Sequence, residues 1–394
     1  MKRIDARIKF FKDALSKKVL DAMAKKATDL RATKPEEPFI RALTEQPGKV
    51  PTTHVFFRGN HDQPKDTVKP AGLTVVSGKP IPENNDALPS TGRRLAFAKR
   101  LTDGTHPLTA RVLVNRFWLH HFGRGIVDTP GDFGKLGERP SHPELLDWLA
   151  RDFMKHDWQL KRLHRLIMTS DAYQQISRRN AKQDTIDPDN RLLGRMNIRR
   201  MEAETIRDAI LSLSGQINLK LGGKPVPVME DEVGQFVIGK ENLDGERKPG
   251  KSVDLKGEQH RRSLYVQVRR SRKLSFLAAF DAPAMEPNCA KRPVSTVAPQ
   301  ALIFMNNKFV VDQSRIMAER LQKLVGDDLG RQLAAGWEHA LGHEPTVAEL
   351  SRAREFLQKQ TALFKERKYK QPGLTALANY CQALMSANRF VYVD

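Results

Sequence analysis

Residues 109–153 give the clearest signal of secondary structure in the sequence and read TARVLVNRFWLHHFGRGIVDTPGDFGKLGERPSHPELLDWLARDF. The first third of this stretch repeats apolar residues at the spacing of one helix face, which predicts a helix capped by Thr109 and ended by Gly123. Ser141 and Glu144 have the spacing of a capping box and precede a second apolar stripe. The stretch therefore predicts two helices joined by a glycine-rich loop.

Helical patterns continue on both sides of this stretch. Thr91 is placed to cap a helix upstream, and further helices are predicted near 160–176 and over 201–214. Thr346 and Glu349 form a second candidate capping box near the C-terminal end. We therefore predict a mainly α fold, arranged as a multi-helix orthogonal bundle.

Short strands are expected in two regions, 50–90 and 230–270. Frequent prolines exclude a long helix from the first region, where two β-prone runs occur at 54–58 and 73–76. The second region has a weak strand signal at Phe236 to Ile238. A period-two alternation at 263–268 predicts another strand there.

These changes in composition divide the chain into five segments. The predicted segments are a basic amphipathic helix left from an upstream region (1–32), a proline-rich lead-in (33–90), a helical core (91–215), a glycine- and charge-rich insertion (216–268) and a C-terminal helical part (269–394). Within the first segment, Val19 and Met23 belong to an apolar stripe over residues 3–31. We expect this stripe to pack on the main core, with a helix that lies on a membrane surface as the alternative.

The charge of the chain narrows the classes of partner. The 394 residues carry a formal net charge of +21. Such a field attracts polyanions, and an anionic polymer is one candidate partner. The lysines and arginines are spread along the chain and mixed with acidic residues, so specific nucleic-acid binding is not expected. No stretch has the run of apolar residues that a membrane-spanning helix needs.

The two cysteines, Cys289 and Cys381, form no zinc-binding spacing and no CxxCH haem attachment motif. No cofactor is therefore expected in this chain. A disulfide between the two thiols is left open. Cys289 stands beside Lys291 and Arg292, whose charges would activate a thiol, but we expect a buried or paired structural cysteine. Cys381 is expected to fill the core of a helix pair.

Residues 106–144 contain the densest group of polar side chains that could carry chemistry. A hydrolase site would use Asp132 and Glu144 as acid and base, with His142 beside them. A metal site is an alternative, but His120 and His121 are adjacent, and adjacent helical residues point about 100° apart. Metal content is therefore left unknown.

Long ordered motifs in the chain resemble a known family. The segments RVLVNRFWLHHFGRGIVDTPGDFG (111–134), FDAPAMEPNCAKRPVSTVAPQAL (280–302) and LANYCQALMSANRFVYVD (377–394) closely resemble the planctomycete cytochrome c-associated C-terminal domain, a family of unknown function. The resemblance covers about residues 50–394 and implies a place at the end of an exported multidomain protein, downstream of a cytochrome c-like domain. Because the chain has no signal peptide, its start suggests a fragment, and its location is left open.

The motif positions that match this family supply further candidates. They are Arg111, Asn115, Arg116, Trp118, Arg200 and Glu202 for binding, together with Asp132, His142, Glu144 and Cys289. Arg200 and Glu202 have a second interpretation, an exposed charge pair at the start of a helix. We rank a non-catalytic interaction or support module of an extracytoplasmic, cytochrome-linked assembly first. A hydrolase acting on an anionic polymer such as a polysaccharide comes second, and electrostatic nucleic-acid binding third. The expected partners are envelope or cytochrome-containing proteins.

Overall fold

A computed structural model describes residues 14–33, 42–45, 49–76, 80–240, 254–283 and 289–393. About half of the chain is helical, which confirms the predicted mainly α fold. The fourteen helices in the described part are α1 (Ala14–Ala32), α2 (Arg93–Thr102), α3 (Thr109–Phe122), α4 (Pro143–Lys155), α5 (Leu160–Met168), α6 (Ala181–Ile186), α7 (Ala203–Ser214), α8 (Ser275–Ala279), α9 (Ala298–Asn306), α10 (Lys308–Val325), α11 (Leu329–Leu341), α12 (Val347–Glu366), α13 (Pro372–Met385) and α14 (Asn388–Val391).

The strands pair into three small antiparallel sheets within the described residues. They are β1 (Thr53–Phe56) with β2 (Pro64–Val68), β3 (Arg199–Arg200) with β6 (Tyr392–Val393), and β4 (Val228–Glu230) with β5 (Phe236–Ile238). The strand predicted at residues 236–238 is confirmed. The one predicted at 54–58 is confirmed as far as Phe56, where the chain turns into a short 3₁₀ helix.

Two strand predictions are wrong. Residues 73–76 form a turn, and residues 263–268 form a 3₁₀ helix over Ser263–Tyr265 with one isolated bridge from Val266 to Val226. An alternating pattern makes a strand only where a partner runs alongside it. Along residues 263–268, the pairing is limited to the single bridge at Val266.

The chain divides into two compact units, Met1–Thr105 and His106–Asp394. In the first unit, the carboxylate of Glu45 accepts hydrogen bonds from the backbone N–H and the hydroxyl of Thr91, at 2.6 and 2.9 Å. Arg93 donates to the carbonyl of Glu83 at 2.8 Å, so side chains hold the proline-rich lead-in to the start of α2.

The second unit contains two apolar cores. Helices α3, α4 and α5 enclose the first, around Phe122, Phe153 and Leu163. The second is larger and is formed by α7 to α14 and the strands β4 and β5. Within it, α10 packs along α13, and α7 packs along α10. The predicted boundaries at 215 and 268 remain predictions, but α7 joins the C-terminal helices in this packing.

The observed helix ends confirm some of the capping predictions and contradict others. Thr346 and Glu349 form the predicted capping box of α12, and Gly123 and Gly215 end α3 and α7 in the left-handed conformation. The capping box predicted at Ser141 is wrong, since α4 begins after His142 with no side-chain cap.

Thr91 and Thr109 were also predicted as caps, and neither occupies the cap position. Gly92 precedes α2, and Thr109 is already the first residue of α3. The ring nitrogen Nδ1 of His106 accepts from the backbone N–H groups of Leu108 and Thr109, at 3.3 and 3.2 Å. An imidazole therefore satisfies the free donors that a threonine hydroxyl was expected to satisfy.

The N-terminal helix does not bury its apolar stripe. Val19 is 54% and Met23 is 64% exposed, so their predicted packing on a core is wrong. The part of the predicted helix at residues 3–13 lies outside the described residues. Among the helices that are described, none combines the length and apolarity required to span a bilayer.

Candidate functional site

The glycine-rich loop between α3 and α4, residues 123–142, is fixed by a buried amide. The side chain of Asn115 accepts from the N–H of Val127 at 2.8 Å and donates to its carbonyl at 2.9 Å. A Cβ at Gly125 would collide with the Val127 carbonyl and the Asn115 amide, so glycine is needed there. Asn115, a predicted binding residue, is fully buried and uses its amide to hold the loop.

Below this loop lies a small polar recess, which holds two of the predicted site residues. Trp118 and His142 both line it, and Trp118 is stacked on Phe122 at 4.3 Å between ring centroids. Residues of the 190–197 segment close the other side. The recess offers about 20 Å³, which is room for about one water molecule.

Both carboxylates that line the recess, Asp128 and Glu138, lie in ion pairs. Asp128 accepts from Lys291 at 2.6 Å and lies 3.4 Å from Arg124. Arg124 is also 3.8 Å from Glu138. The Asp128–Lys291 pair joins the loop to the segment after residue 289, while the pairs of Arg124 lie within the loop. Neither carboxylate is therefore a free acid or base.

The predicted catalytic carboxylates lie elsewhere. Asp132 accepts from the N–H of Gly134 at 2.7 Å, so it closes a turn within the loop. Glu144 is exposed in the first turn of α4. The third predicted catalytic residue, His142, has its Nδ1 atom 2.9 Å from the Ser141 hydroxyl. The fold thus brings Trp118 and His142 together at the recess and leaves Asp132 and Glu144 outside its lining. A catalytic role for the three residues stays a prediction.

Arg111 and Arg116 on α3 have different surroundings. Arg111 donates to Asp147 of α4 at 2.7 Å. This hydrogen bond raises the pKa of Arg111 and lowers the pKa of Asp147. Arg116 is exposed on the neighbouring turn. Arg111 therefore joins two helices of the first core.

Arg200 and Glu202 contradict the interpretation of an exposed charge pair. The Arg200 side chain is only 4% exposed, pairs with Asp281 at 2.6 Å and also donates to the carbonyls of Phe280 and Ser295. Burial acts to raise the pKa of Asp281, but hydrogen bonds from Ser295 and Arg200 outweigh it and lower that pKa. Glu202, in contrast to Arg200, is exposed, and its carboxylate lies 3.4 Å from the guanidinium of Arg292.

Cys289 is exposed and both cysteines are free, which contradicts the expectation of a buried or paired thiol at 289. Its sulfur lies 3.5 Å from the carbonyl of Lys291. The adjacent cations are engaged elsewhere, Lys291 with Asp128 and Arg292 with Glu204 at 2.6 Å. Cys381 is buried as predicted, and burial raises the pKa of its thiol to about 12.

A histidine pair joins α3 to α5. His121 Nε2 lies 2.8 Å from His164 Nδ1, and the ring of Tyr173 meets His121 edge-on at 5.4 Å. Burial, followed by the proximity of His164 and Arg199, lowers the pKa of His121. Among the described residues, no group of three or more histidine, cysteine or acidic side chains could hold a metal ion.

The second core opens into a much larger cavity, of about 920 Å³. Its lining comes from α7, the β4–β5 turn and β5, α8, α9 and the start of α10. The apolar residues that line it are Phe236, Val237, Ile238, Leu274, Phe276, Leu302, Ile303 and Phe309. Its polar lining includes Arg207, Asp231, His260, Asn307, Asp312 and Gln313.

Arg207 is a buried cation at this cavity. It donates to the carbonyls of Arg261 and Gln259 at 2.9 and 2.8 Å and to the Ser263 hydroxyl at 3.1 Å. Burial lowers the pKa of Arg207 to about 10. Burial and the charge of Arg207 lower the pKa of neighbouring His260 as well, which favours the neutral imidazole at pH 7.

Comparison with family models identifies the kind of chain that carries these sites. The model described as PSD1, protein of unknown function (DUF1553), matches residues 93–357, about two thirds of the chain. The chain belongs to the PSD1 family. Its function is not established by that membership, because the family itself is described only as a domain of unknown function.

Other comparisons add no relative. No curated protein and no solved structure matches the chain. The PSD1 match begins at α2 and ends within α12, so it includes the recess, the Arg200–Asp281 pair and the whole cavity lining. Helices α13 and α14 follow the matched region.

Sequence reasoning missed the cavity and the histidine pair of this PSD1-family chain. Arg207 and His260 lie more than fifty positions apart, and nothing in their local pattern signals that they meet. His164 could have been noticed, because it lies on the same stretch as the apolar stripe of α5 and faces a helix rich in histidine.

Proposed function

We propose that this PSD1-family chain is a non-catalytic binding module and that the 920 Å³ cavity is its ligand site. The size of the cavity is the observation that carries the proposal, since ligand pockets span about 300–1,000 Å³. Such pockets combine mainly apolar walls with a few placed polar groups. This cavity has the same character, with aromatic and aliphatic walls and the guanidinium of Arg207.

The small size and the ion pairs of the recess also support a non-catalytic role. The recess holds about one water molecule, and its carboxylates are engaged in ion pairs. A hydrolase acting on a polymer needs an open cleft with two free carboxyl groups at a set separation. Asp132 and Glu144, the carboxylates expected to serve, line neither the recess nor the cavity.

The setting proposed for this module is an extracytoplasmic assembly with envelope or cytochrome-containing proteins. The resemblance of its motifs to the cytochrome c-associated domain supports that setting. A pull-down from a cell that expresses the chain is expected to recover envelope or redox proteins. Recovery of ribosomes or DNA instead would contradict the proposed setting without touching the cavity.

The cavity itself is tested with a neutral fluorescent probe, N-phenyl-1-naphthylamine, whose emission rises in apolar surroundings. Leu302 lines the cavity and is 53% exposed, so a Leu302→Glu change adds a charge to the wall without emptying the core. We expect this variant to weaken probe binding about tenfold or more, because a carboxylate disfavours an apolar ligand.

Leu324→Glu is the matched control. Leu324 is 55% exposed on α10 and does not line the cavity. Its variant should bind the probe as the unmodified chain does. Equal loss in both variants, or no probe binding by the unmodified chain, would overturn the proposal.

A further inference from the structure

We propose that the natural ligand of the cavity is an amphipathic carboxylate whose acid group lies against Arg207 and whose apolar body lies along Phe236, Ile303 and Phe309. This inference rests on the proposed function and names its ligand class. Its two parts, a buried cation and an apolar wall, come from separate observations on the same cavity.

The first part is the incomplete neutralisation of Arg207. Its short hydrogen bonds go to neutral oxygens, two backbone carbonyls and one hydroxyl. Asp208 is 3.5 Å from Arg207, and its carboxylate also accepts from the backbone N–H and the hydroxyl of Ser263, both at 2.7 Å. A buried charge with weak pairing is costly, so an anion that enters the cavity stabilises it.

The acidic residues of the cavity lining do not meet this need. Asp312 pairs with Lys308 at 2.7 Å on the exposed start of α10. Asp231 accepts from the backbone N–H groups of Val233 and Gln235, at 3.1 and 2.7 Å, and so closes the β4–β5 turn. Both carboxylates therefore have local donors at the edge of the cavity, and Arg207 is the buried cation that faces it.

The second part is the apolar wall beside that cation. Phe276 and Phe309 meet edge to face at 5.5 Å between ring centroids, and the guanidinium of Arg207 lies 5.6 Å from the Phe309 ring. Phe309 therefore contacts both the aromatic ring of Phe276 and the guanidinium of Arg207, so the apolar wall and the cation are adjacent in the cavity. An amphipathic ligand places its charged end and its apolar end across such a boundary.

His260 adds a hydrogen-bonding group without adding charge. It lines the same cavity, and its lowered pKa favours the neutral ring. A neutral imidazole can donate one N–H to a carboxylate oxygen beside Arg207. Two donors side by side favour a carboxylate over an alcohol, whose oxygen carries no full charge to pair with the guanidinium.

The test compares three ligands with the same twelve-carbon chain: dodecanoate, dodecanol and dodecylamine. Each is titrated against the full chain preloaded with N-phenyl-1-naphthylamine, with dodecanoate and dodecylamine kept below their micelle concentrations and dodecanol below its solubility limit. We expect dodecanoate to displace the probe at a concentration at least about tenfold lower than dodecanol, with dodecylamine weakest. Leu302→Glu should weaken dodecanoate binding, and Leu324→Glu should leave it unchanged.

Arg207→Gln is expected to remove the preference for dodecanoate over dodecanol. If circular dichroism shows that this variant does not fold, the comparison of head groups on the unmodified chain decides. Equal displacement by all three ligands, or a preference for dodecanol or dodecylamine, would overturn the carboxylate assignment while leaving a binding cavity. Failure of all three ligands on a chain that binds the probe would overturn it as well. If the unmodified chain does not bind N-phenyl-1-naphthylamine at all, the proposed function is overturned.

Discussion

At the scale of single residues, buried polar groups in this chain hold loops in place. The Asn115 amide donates to the carbonyl of Val127 and accepts from its N–H. The Arg200 guanidinium donates to Asp281 and to two backbone carbonyls. Each was predicted as a binding residue from motif position alone. Their hydrogen bonds instead connect segments that are distant in sequence.

The contribution of Asn115 can be measured directly. Asn115→Ala would leave the N–H and carbonyl of Val127 buried without their partners, and each unsatisfied group costs about 1–3 kcal/mol. We expect urea denaturation to show a loss of at least about 1 kcal/mol in the free energy of unfolding. Arg116→Ala, on the exposed neighbour, should change it by less than about 0.5 kcal/mol. Similar values for the two variants would contradict the structural role of Asn115.

Asp132 and Glu144 provide a test of whether the 123–142 loop takes part in the ligand site. Because neither lines the cavity, the double variant Asp132→Ala/Glu144→Ala should bind N-phenyl-1-naphthylamine with unchanged affinity. The Asp132 change removes an acceptor from the N–H of Gly134 and is expected to loosen the loop locally. A loss of probe binding in the folded double variant would show that the loop takes part in the site.

At the scale of elements, helix ends and helix pairs show what local pattern can predict. The capping box at Thr346 was predicted and forms, because its two partners are three residues apart on one helix. The one at Ser141 does not form, because its serine hydroxyl bonds His142 and its backbone N–H reaches Ile126. The bond to Ile126, which is 15 residues away, leaves no mark on the local spacing.

The histidine pair between α3 and α5 makes stability depend on pH. The pKa of His121 is lowered in the folded chain, so the unfolded chain binds its proton first as pH falls. The stability that this pair supplies is complete above about pH 6.5, the usual histidine pKa, and declines as pH falls below it. We expect His121→Phe to reduce the fall in melting temperature between pH 7.5 and 5.

The control for this change is His339→Phe, an exposed histidine on α11. His339→Phe should retain the pH dependence of the unmodified chain. Identical pH profiles for the His121→Phe variant and the unmodified chain would show that protonation of His121 does not contribute to the pH dependence of stability.

At the scale of the whole molecule, the pattern of apolar residues predicted the fold class but could not predict the cavity. Apolar periodicity is local, so it located α3, α4 and α7 and predicted that residues 269–394 are helical without dividing them into their separate helices. The cavity depends on four separated parts of the chain, near residues 207, 231–238, 259–276 and 299–313. No local signal shows that these parts meet. The polar cluster at 106–144 instead predicted a site near the recess, which has room for about one water molecule.

The net charge of +21 fits an anionic ligand at this scale as well. A positive field raises the local concentration of anions without selecting among them. Selection would come from the cavity, where Arg207 and the aromatic wall are adjacent. A polyanion bound through charge alone would instead respond to salt and be indifferent to the Leu302→Glu change.

Hydrogen–deuterium exchange, with and without saturating N-phenyl-1-naphthylamine, reports where on the chain the ligand binds. If the ligand occupies the cavity, we expect added protection in β5 (Phe236–Ile238), in α9 (Ala298–Asn306) and at the start of α10, with no change over residues 124–142. Protection of the 124–142 loop, with none at β5 or α9, would contradict binding in the cavity.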